Sequence, residues 1–133
     1  MLTTISAYDI SVVDISANNT ERNDTMPNSK YPPLTEAVYY ILLSLYTPLH
    51  GYGIMQNVQK MTNGRLTIGA GTLYGALSTL TKKGFIIEYK NSDPSKKEYI
   101  ITPLGKDAVN NEVKRLQELF NNGKHILEGQ NER

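Results

Sequence analysis

Apolar residues recur with helical spacing from residue 34 onward, and this pattern predicts the first element of the chain. Six of them lie on one helix face: Leu34, Ala37, Val38, Ile41, Leu42 and Leu45. Pro32 and Pro33 stop any earlier helix, and Thr35 suits the N-cap. The sequence therefore predicts a helix that begins after Thr35 and ends before Pro48.

A second, shorter apolar stripe predicts a second helix. Its apolar positions are Ile54, Val58 and Met61. The tripeptide Gly51-Tyr52-Gly53 stands near its start, and two glycines there indicate a close approach between backbones. Asn63-Gly64 predicts a turn, and residues 65–68 predict a brief strand before the next helix.

The stretch from residue 67 to residue 87 predicts a third helix that is held in place by its neighbours. The predicted buried face carries Leu73, Ala76, Leu77 and Leu80. The opposite face has hydroxyls, an aromatic ring and a cation but no carboxylate: Thr72, Tyr74, Gly75, Ser78, Thr79 and Lys82. Such a face can approach a polyanion, although an ordinary solvated helix has the same pattern. Gly84 suits the left-handed residue that ends a helix.

The segment after Gly84 predicts a β-hairpin. Residues 85–90 and 97–101 are rich in β-branched and aromatic side chains, and residues 91–96 have the composition of a turn. Two short helices, the second with an exposed polar face, form a helix-turn-helix, and a hairpin directly after them makes a winged helix.

The last element is predicted as a long helix, with Thr102 as N-cap and Pro103 at its first position. Its apolar residues follow the spacing of a helix-packing seam: Val109, Val113, Leu116, Phe120 and Leu127. Gly123 takes one seam position, so the helix either breaks there or passes close to another helix. We expect the seam to pack against a partner chain.

These elements give a fold class that is mainly α with a small β-hairpin, in one domain as the length of 133 residues suggests. The predicted organisation is a poorly ordered tail (1–30), a winged helix-turn-helix domain (31–102), a C-terminal dimerisation helix (103–128) and a short tail (129–133). Met26 stands just before the patterned region, so translation of the working protein is hypothesised to start there.

Charge is unevenly distributed along the chain. Residues 60–106 hold eight lysines and arginines against three carboxylates, whereas residues 1–30 hold four carboxylates against two cations. The basic segment contains the third helix and the hairpin, which favours a nucleic-acid partner, although ordinary solvated surface has similar charge. The chain has no apolar run long enough to span a membrane and no secretory signal pattern, so we expect a cytoplasmic, nucleoid-associated protein.

Few residues suit catalysis or metal binding. The chain has no cysteine, and its two histidines are His50 and His125. We find no paired carboxylates, phosphate-binding loop or nucleophile elbow, so we expect no enzyme activity, no cofactor and no metal. His50 is interpreted as structural.

In this order of elements the chain resembles the PadR family of transcriptional regulators over residues 34–128. Three motifs carry the resemblance: His50-Gly51-Tyr52-Gly53-Ile54, Gly71-Thr72-Leu73-Tyr74 with the leucines up to Gly84-Phe85-Ile86, and Tyr99-Ile100-Ile101-Thr102-Pro103-Leu104-Gly105. The single final helix is similar to the short branch of the family. The resemblance implies a homodimer that joins largely through its last helix, with help from the first. Such a dimer places its two copies of the third helix in successive major grooves of a near-palindromic operator.

The predicted function is therefore a dimeric repressor that binds double-stranded DNA. Side chains suited to phosphates and base edges are Thr72, Tyr74, Gly75, Ser78, Lys82, Lys96 and Lys97. A small planar aromatic effector is expected between the halves of the dimer, where the first helix of each subunit meets the last helix of the other, at Val38, Tyr39 and Ile41. The reason is that the first helix has more apolar residues than one stripe can bury; a packed interface without a cavity is the alternative. The alternative function is a winged-helix protein-interaction adaptor or antirepressor without DNA binding.

Overall fold

The computed structural model describes residues 31–91, 93 and 95–131, and its helices and strands lie in the compact unit Leu34–Arg133. In chain order they are α1 (Glu36–Ser44), β1 (Leu49–His50), α2 (Gly51–Met61), α3 (Ala70–Lys82), β2 (Ile86–Tyr89), β3 (Glu98–Ile101) and α4 (Pro103–Asn131). The predicted fold class, mainly α with a small antiparallel sheet, is confirmed. The predicted tail over residues 1–30 and the hypothesis about Met26 lie outside the described residues.

Helix α1 begins as predicted and ends earlier than predicted. The Thr35 hydroxyl oxygen accepts the N–H of Val38 at 3.2 Å, which confirms the N-cap. The helix ends at Ser44 and does not continue to Pro48. The carbonyl of Leu45 instead accepts the N–H of Ile101 at 2.8 Å, so a contact with a distant strand takes the place of another helical turn.

The predicted hairpin is present, and a third strand extends it. The sheet order is β1-β3-β2, with all pairs antiparallel, and Tyr99 of β3 lies opposite both Leu49 and Glu88. Strand β1 has only two residues, too few for an alternating pattern to be visible in the sequence.

The connection between α2 and α3 differs from the prediction at two places. Asn63 and Gly64 do form a turn, both with positive φ. Residues 65–68 are not a strand: the Thr62 hydroxyl accepts the N–H of Leu66 at 3.1 Å, and a side chain thus replaces a strand partner. Met61, predicted in the apolar stripe of the second helix, is exposed.

Helix α4 is anchored where α3 ends. The Thr102 hydroxyl accepts the N–H of Gly105 at 3.1 Å and donates to the carbonyl of Gly84 at 2.6 Å, which confirms the predicted cap. Gly84 has a φ of +79° and ends the α3 segment as predicted. The helix continues through Gly123 to Asn131, so it does not break there and it extends past the predicted end at residue 128.

A buried carboxylate joins α4 to the start of α1. Glu112 is 2% exposed. Its two oxygens accept the Nε and Nη2 groups of Arg115 at 3.0 and 2.5 Å, and one of them also accepts the N–H of Leu34 at 3.3 Å. Hydrogen bonding to Glu112 raises the pKa of the Arg115 guanidinium. The ion pair compensates for removing the carboxylate from water and fixes where α4 crosses the first helix.

Past Glu112, α4 leaves the core and exposes apolar side chains over several turns. Six of them are between 37% and 65% exposed: Val113, Leu116, Leu119, Phe120, Ile126 and Leu127. No helix in the described part of the chain is long and apolar enough to cross a membrane.

Candidate nucleic-acid interface

Helix α3 packs on one face and leaves the other open, as its spacing predicted. Leu73, Leu77 and Leu80 are buried. The opposite face is exposed and holds Gly71, Thr72, Gly75, Ser78, Thr79 and Lys82. The helix has no carboxylate, and Lys82 stands in its last turn. This face is small, polar and positively charged, so a polyanion can approach it closely.

The start of α3 is also open. Its N-cap is Gly69, which makes no side-chain capping hydrogen bond, and an added Cβ at Gly69 or Gly71 would meet nothing within 4 Å. Gly69 therefore offers no capping side chain to the first N–H groups of the helix, which carry the positive end of the helix dipole.

A shallow groove of about 360 Å³ lies between α3 and the β2–β3 hairpin. Its lining residues are Tyr74, Leu77, Ser78, Thr81, Lys82, Glu88, Lys97 and Tyr99. The structure thus brings together four of the predicted DNA-binding residues, Tyr74, Ser78, Lys82 and Lys97. The other three, Thr72, Gly75 and Lys96, are exposed outside the groove.

The hairpin contributes to the groove through the alternation of its side chains. Ile86 pairs with Ile101, and both are buried. Two residues further along the same face, Glu88 pairs with Tyr99, and Lys97 follows after another two. Sequence reasoning missed Glu88 and Tyr99, although extending the buried Ile86 position by two residues would have found them.

The turn of the hairpin is organised around Asp93. Its Oδ1 accepts the N–H of Ser95 at 3.0 Å and the Ser95 hydroxyl at 2.6 Å. These hydrogen bonds, the hydroxyl first, lower the pKa of the Asp93 carboxyl below its usual value. The tip therefore holds one ionised carboxylate beside the exposed Lys96.

Tyr74 connects the groove to the start of α2. Its side chain is 53% exposed. A Cβ added at Gly51 would lie 2.9 Å from Tyr74 Cζ and closer still to the hydroxyl, so a larger residue at position 51 would displace the ring. The predicted close approach at this glycine is thus made by a tyrosine side chain and not by a second backbone.

Two predicted residues outside this interface are corrected by their burial. Val109, predicted in the dimer interface, is 3% exposed within the core of its own chain, so it cannot contact a partner. Ile41, predicted to line an effector pocket, is completely buried because it lies on the core stripe of α1. Val113, Leu116, Phe120 and Leu127 remain exposed on α4, together with Leu119 and Ile126, which the sequence analysis did not select. Val38 and Tyr39 are half-buried.

The described part of the chain contains no group of three or more His, Cys, Asp or Glu residues that could hold a metal ion.

Comparison with known proteins matched one family model and a number of solved structures. The family model described as the transcriptional regulator PadR-like family matches residues 40–111. A search of the curated proteins found no match. Among solved structures, a transcriptional regulator from Clostridium thermocellum is 26% identical, with a TM-score of 0.54 over 70% of this chain and 90% of that one.

Two further structures are similar in fold. A PadR family transcription regulator from Clostridium difficile is 22% identical, with a TM-score of 0.59 over 70% of this chain and 99% of that one. PadR of Bacillus subtilis, whose structure is in complex with operator DNA, is 26% identical, with a TM-score of 0.53 over 61% of this chain and 48% of that one.

Proposed function

Because the chain belongs to the PadR-like family of transcriptional regulators, we propose that it binds double-stranded DNA sequence-specifically as a homodimer and represses transcription. The observation that carries the proposal is the exposed face of α3, which has hydroxyls and Lys82 but no carboxylate. A helix of this kind fits the major groove, where side chains reach base edges. The operator complex of the Bacillus subtilis relative supports the same partner for this chain.

The proposed contacts with the DNA are of two chemical kinds, those of hydroxyl groups and those of lysine ammonium groups. Thr72, Tyr74 and Ser78 offer hydroxyls to base edges or phosphates, and Gly75 lets the helix approach closely. Lys82, Lys96 and Lys97 are the phosphate contacts, and they position the protein without reading sequence. The hairpin would lie along the backbone that flanks the major groove.

Dimerisation follows from the exposed apolar stripe of α4. The stripe runs from Val113 to Leu127 and has no covering element among the described residues. A second copy of the same helix buries it on both chains, and a two-fold dimer presents two α3 helices to half-sites about one DNA turn apart. The operator is then a near-palindrome.

The proposed effector site has fewer residues than the sequence predicted. Val38 and Tyr39 are half-buried on α1 and are suited to a flat, largely apolar effector, whereas Ile41 takes no part. Such a ligand relieves repression only if it binds more tightly to a dimer whose α3 helices are wrongly spaced for the grooves.

Selection of duplexes from a random-sequence pool by the full chain tests the DNA-binding function. We expect enrichment of an inverted repeat with half-site centres about 10 base pairs apart. Affinity for the selected duplex should fall steeply with salt, by a slope of about −0.9 for each phosphate neutralised. An adaptor or antirepressor would enrich no sequence and show no such dependence, and that result would reject the proposal.

A further inference from the structure

The groove between α3 and the hairpin contains charges of both signs. Lys82 stands on the α3 side and Lys97 on the hairpin side, and Glu88 is the one carboxylate among the residues that line it. The Glu88 Oε1 lies 4.0 Å from Lys97 Nζ, with the side chains 42% and 63% exposed. An exposed ion pair of this length is weak, so a stronger anion can displace the carboxylate from Lys97.

The register of the strands keeps Glu88 on the face of the sheet that borders the groove. Its neighbours along the same face are Ile86, which is buried in the core, and Tyr99, which lies directly opposite on β3. Because side chains alternate along a strand, Glu88 can reach the other face only if the register slips and Ile86 leaves the core. The carboxylate charge therefore stays on the groove side of the sheet when a ligand enters.

We propose that this groove takes a phosphate of the DNA backbone between Lys82 and Lys97, and that Glu88 competes with that phosphate for Lys97. This inference rests on the proposed DNA-binding function. The carboxylate both occupies the Lys97 cation in the free protein and repels the phosphate in the complex. Phosphate contacts carry no sequence information, so Glu88 lowers the affinity for every DNA sequence by the same factor.

The register supplies a matched control for this electrostatic effect. Glu98 is next to Lys97 in sequence and pairs with Tyr89, on the face of the sheet opposite Glu88 and Tyr99. Glu88→Gln and Glu98→Gln change the net charge of the same hairpin by the same amount. Only the first removes a charge from the groove.

The experiment measures the affinity of the full-length chain for two duplexes, one selected from a random pool by the unmodified protein and one with the same bases scrambled. We expect Glu88→Gln to tighten binding to both duplexes by the same factor, about threefold at 200 mM KCl, and to steepen the salt slope by about 0.9, so that the gain grows to about tenfold at 50 mM. Glu98→Gln should change both affinities by less than about twofold. In a Lys97→Gln background, Glu88→Gln should lose most of its effect.

Four results would overturn the inference. An equal gain from Glu98→Gln would show that net charge alone acts. A change confined to the selected duplex would show that Glu88 contacts a base. A gain of undiminished size in the Lys97→Gln background would show that Lys97 is not the group for which Glu88 competes. If the unmodified chain binds neither duplex, the proposed function itself fails, whereas binding that ignores Glu88→Gln rejects this inference alone.

Discussion

At the scale of single residues, Gly75 is a position whose identity the fold does not explain. It lies on the exposed face of α3, and an added Cβ there would meet nothing within 4 Å. A glycine inside a helix costs about 0.5–1 kcal/mol relative to alanine. A residue that weakens the helix without any packing reason fits a surface that must approach a ligand closely.

Replacing Gly75 should therefore separate stability from function. We expect Gly75→Ala to raise the free energy of unfolding by about 0.5–1 kcal/mol and to weaken binding to the selected duplex. Thermal unfolding and fluorescence anisotropy measure the two quantities. Gly129→Ala, a change at an exposed glycine of α4, is the matched control and should leave DNA affinity unchanged. A stabilised Gly75→Ala protein with undiminished affinity would place the DNA on another surface.

The burial of a residue was predicted correctly where it depends only on the spacing of apolar residues within one helix. Leu73, Leu77 and Leu80 are buried because helical spacing alone puts them on one face. Val109 lies on an apolar stripe of α4 that is first buried in the core and then exposed to solvent. The periodicity of the stripe does not show at which residue the buried part ends. Glu88 follows from Ile86 by alternation along β2, but its place opposite Tyr99 required the pairing of two strands, which the sequence of one strand does not contain.

At the scale of elements, contacts between distant residues shifted the boundaries that local patterns predicted. Helix α1 ends at Ser44 because the carbonyl of Leu45 bonds to Ile101. Strand β1 exists because β3 pairs with its two residues. Caps were predicted well, at Thr35 and Thr102, since a cap depends on neighbours three residues away.

Gly123 of helix α4 is, like Gly75, a glycine that packing within its own chain does not explain, and the proposed dimer gives a reason for it. Gly123 meets nothing within 4 Å in its own chain, and Leu119, Phe120, Ile126 and Leu127 surround it at the spacing of one helix face. A glycine at the centre of an apolar stripe lets two helices cross closely. We therefore expect the two α4 helices of a dimer to cross at this residue.

The substitution Gly123→Leu tests the crossing point. Leucine at a close crossing overpacks it, so the dimer dissociation constant should rise about tenfold or more in sedimentation experiments. Gly129→Leu in the same helix should leave the constant unchanged. If Gly123→Leu instead tightens the dimer, the added side chain merely extends the apolar stripe and the helices do not cross closely there.

At the scale of the whole molecule, the described residues form a packed core, and α4 leaves an apolar stripe exposed to solvent. The core joins α1, α2, α3 and the sheet, and the buried Glu112 fixes α4 to it. From Val113 onward α4 continues for about 27 Å at the rise of an α-helix, with apolar residues open to solvent. An exposed apolar stripe of that length marks an interaction surface, which favours a second copy of the chain as the partner.

The central claim is that the exposed face of α3 and its groove contact DNA, and Lys82 tests it most directly. The measurement compares Lys82→Ala with Lys114→Ala, which removes an exposed lysine from α4, by titrating the selected duplex at several salt concentrations. We predict that Lys82→Ala weakens binding at least about fivefold and flattens the salt slope by about 0.9, while Lys114→Ala stays within about twofold. Equal unfolding temperatures would show that both variants are folded. A Lys82→Ala protein with unchanged affinity and unchanged salt slope would contradict the account.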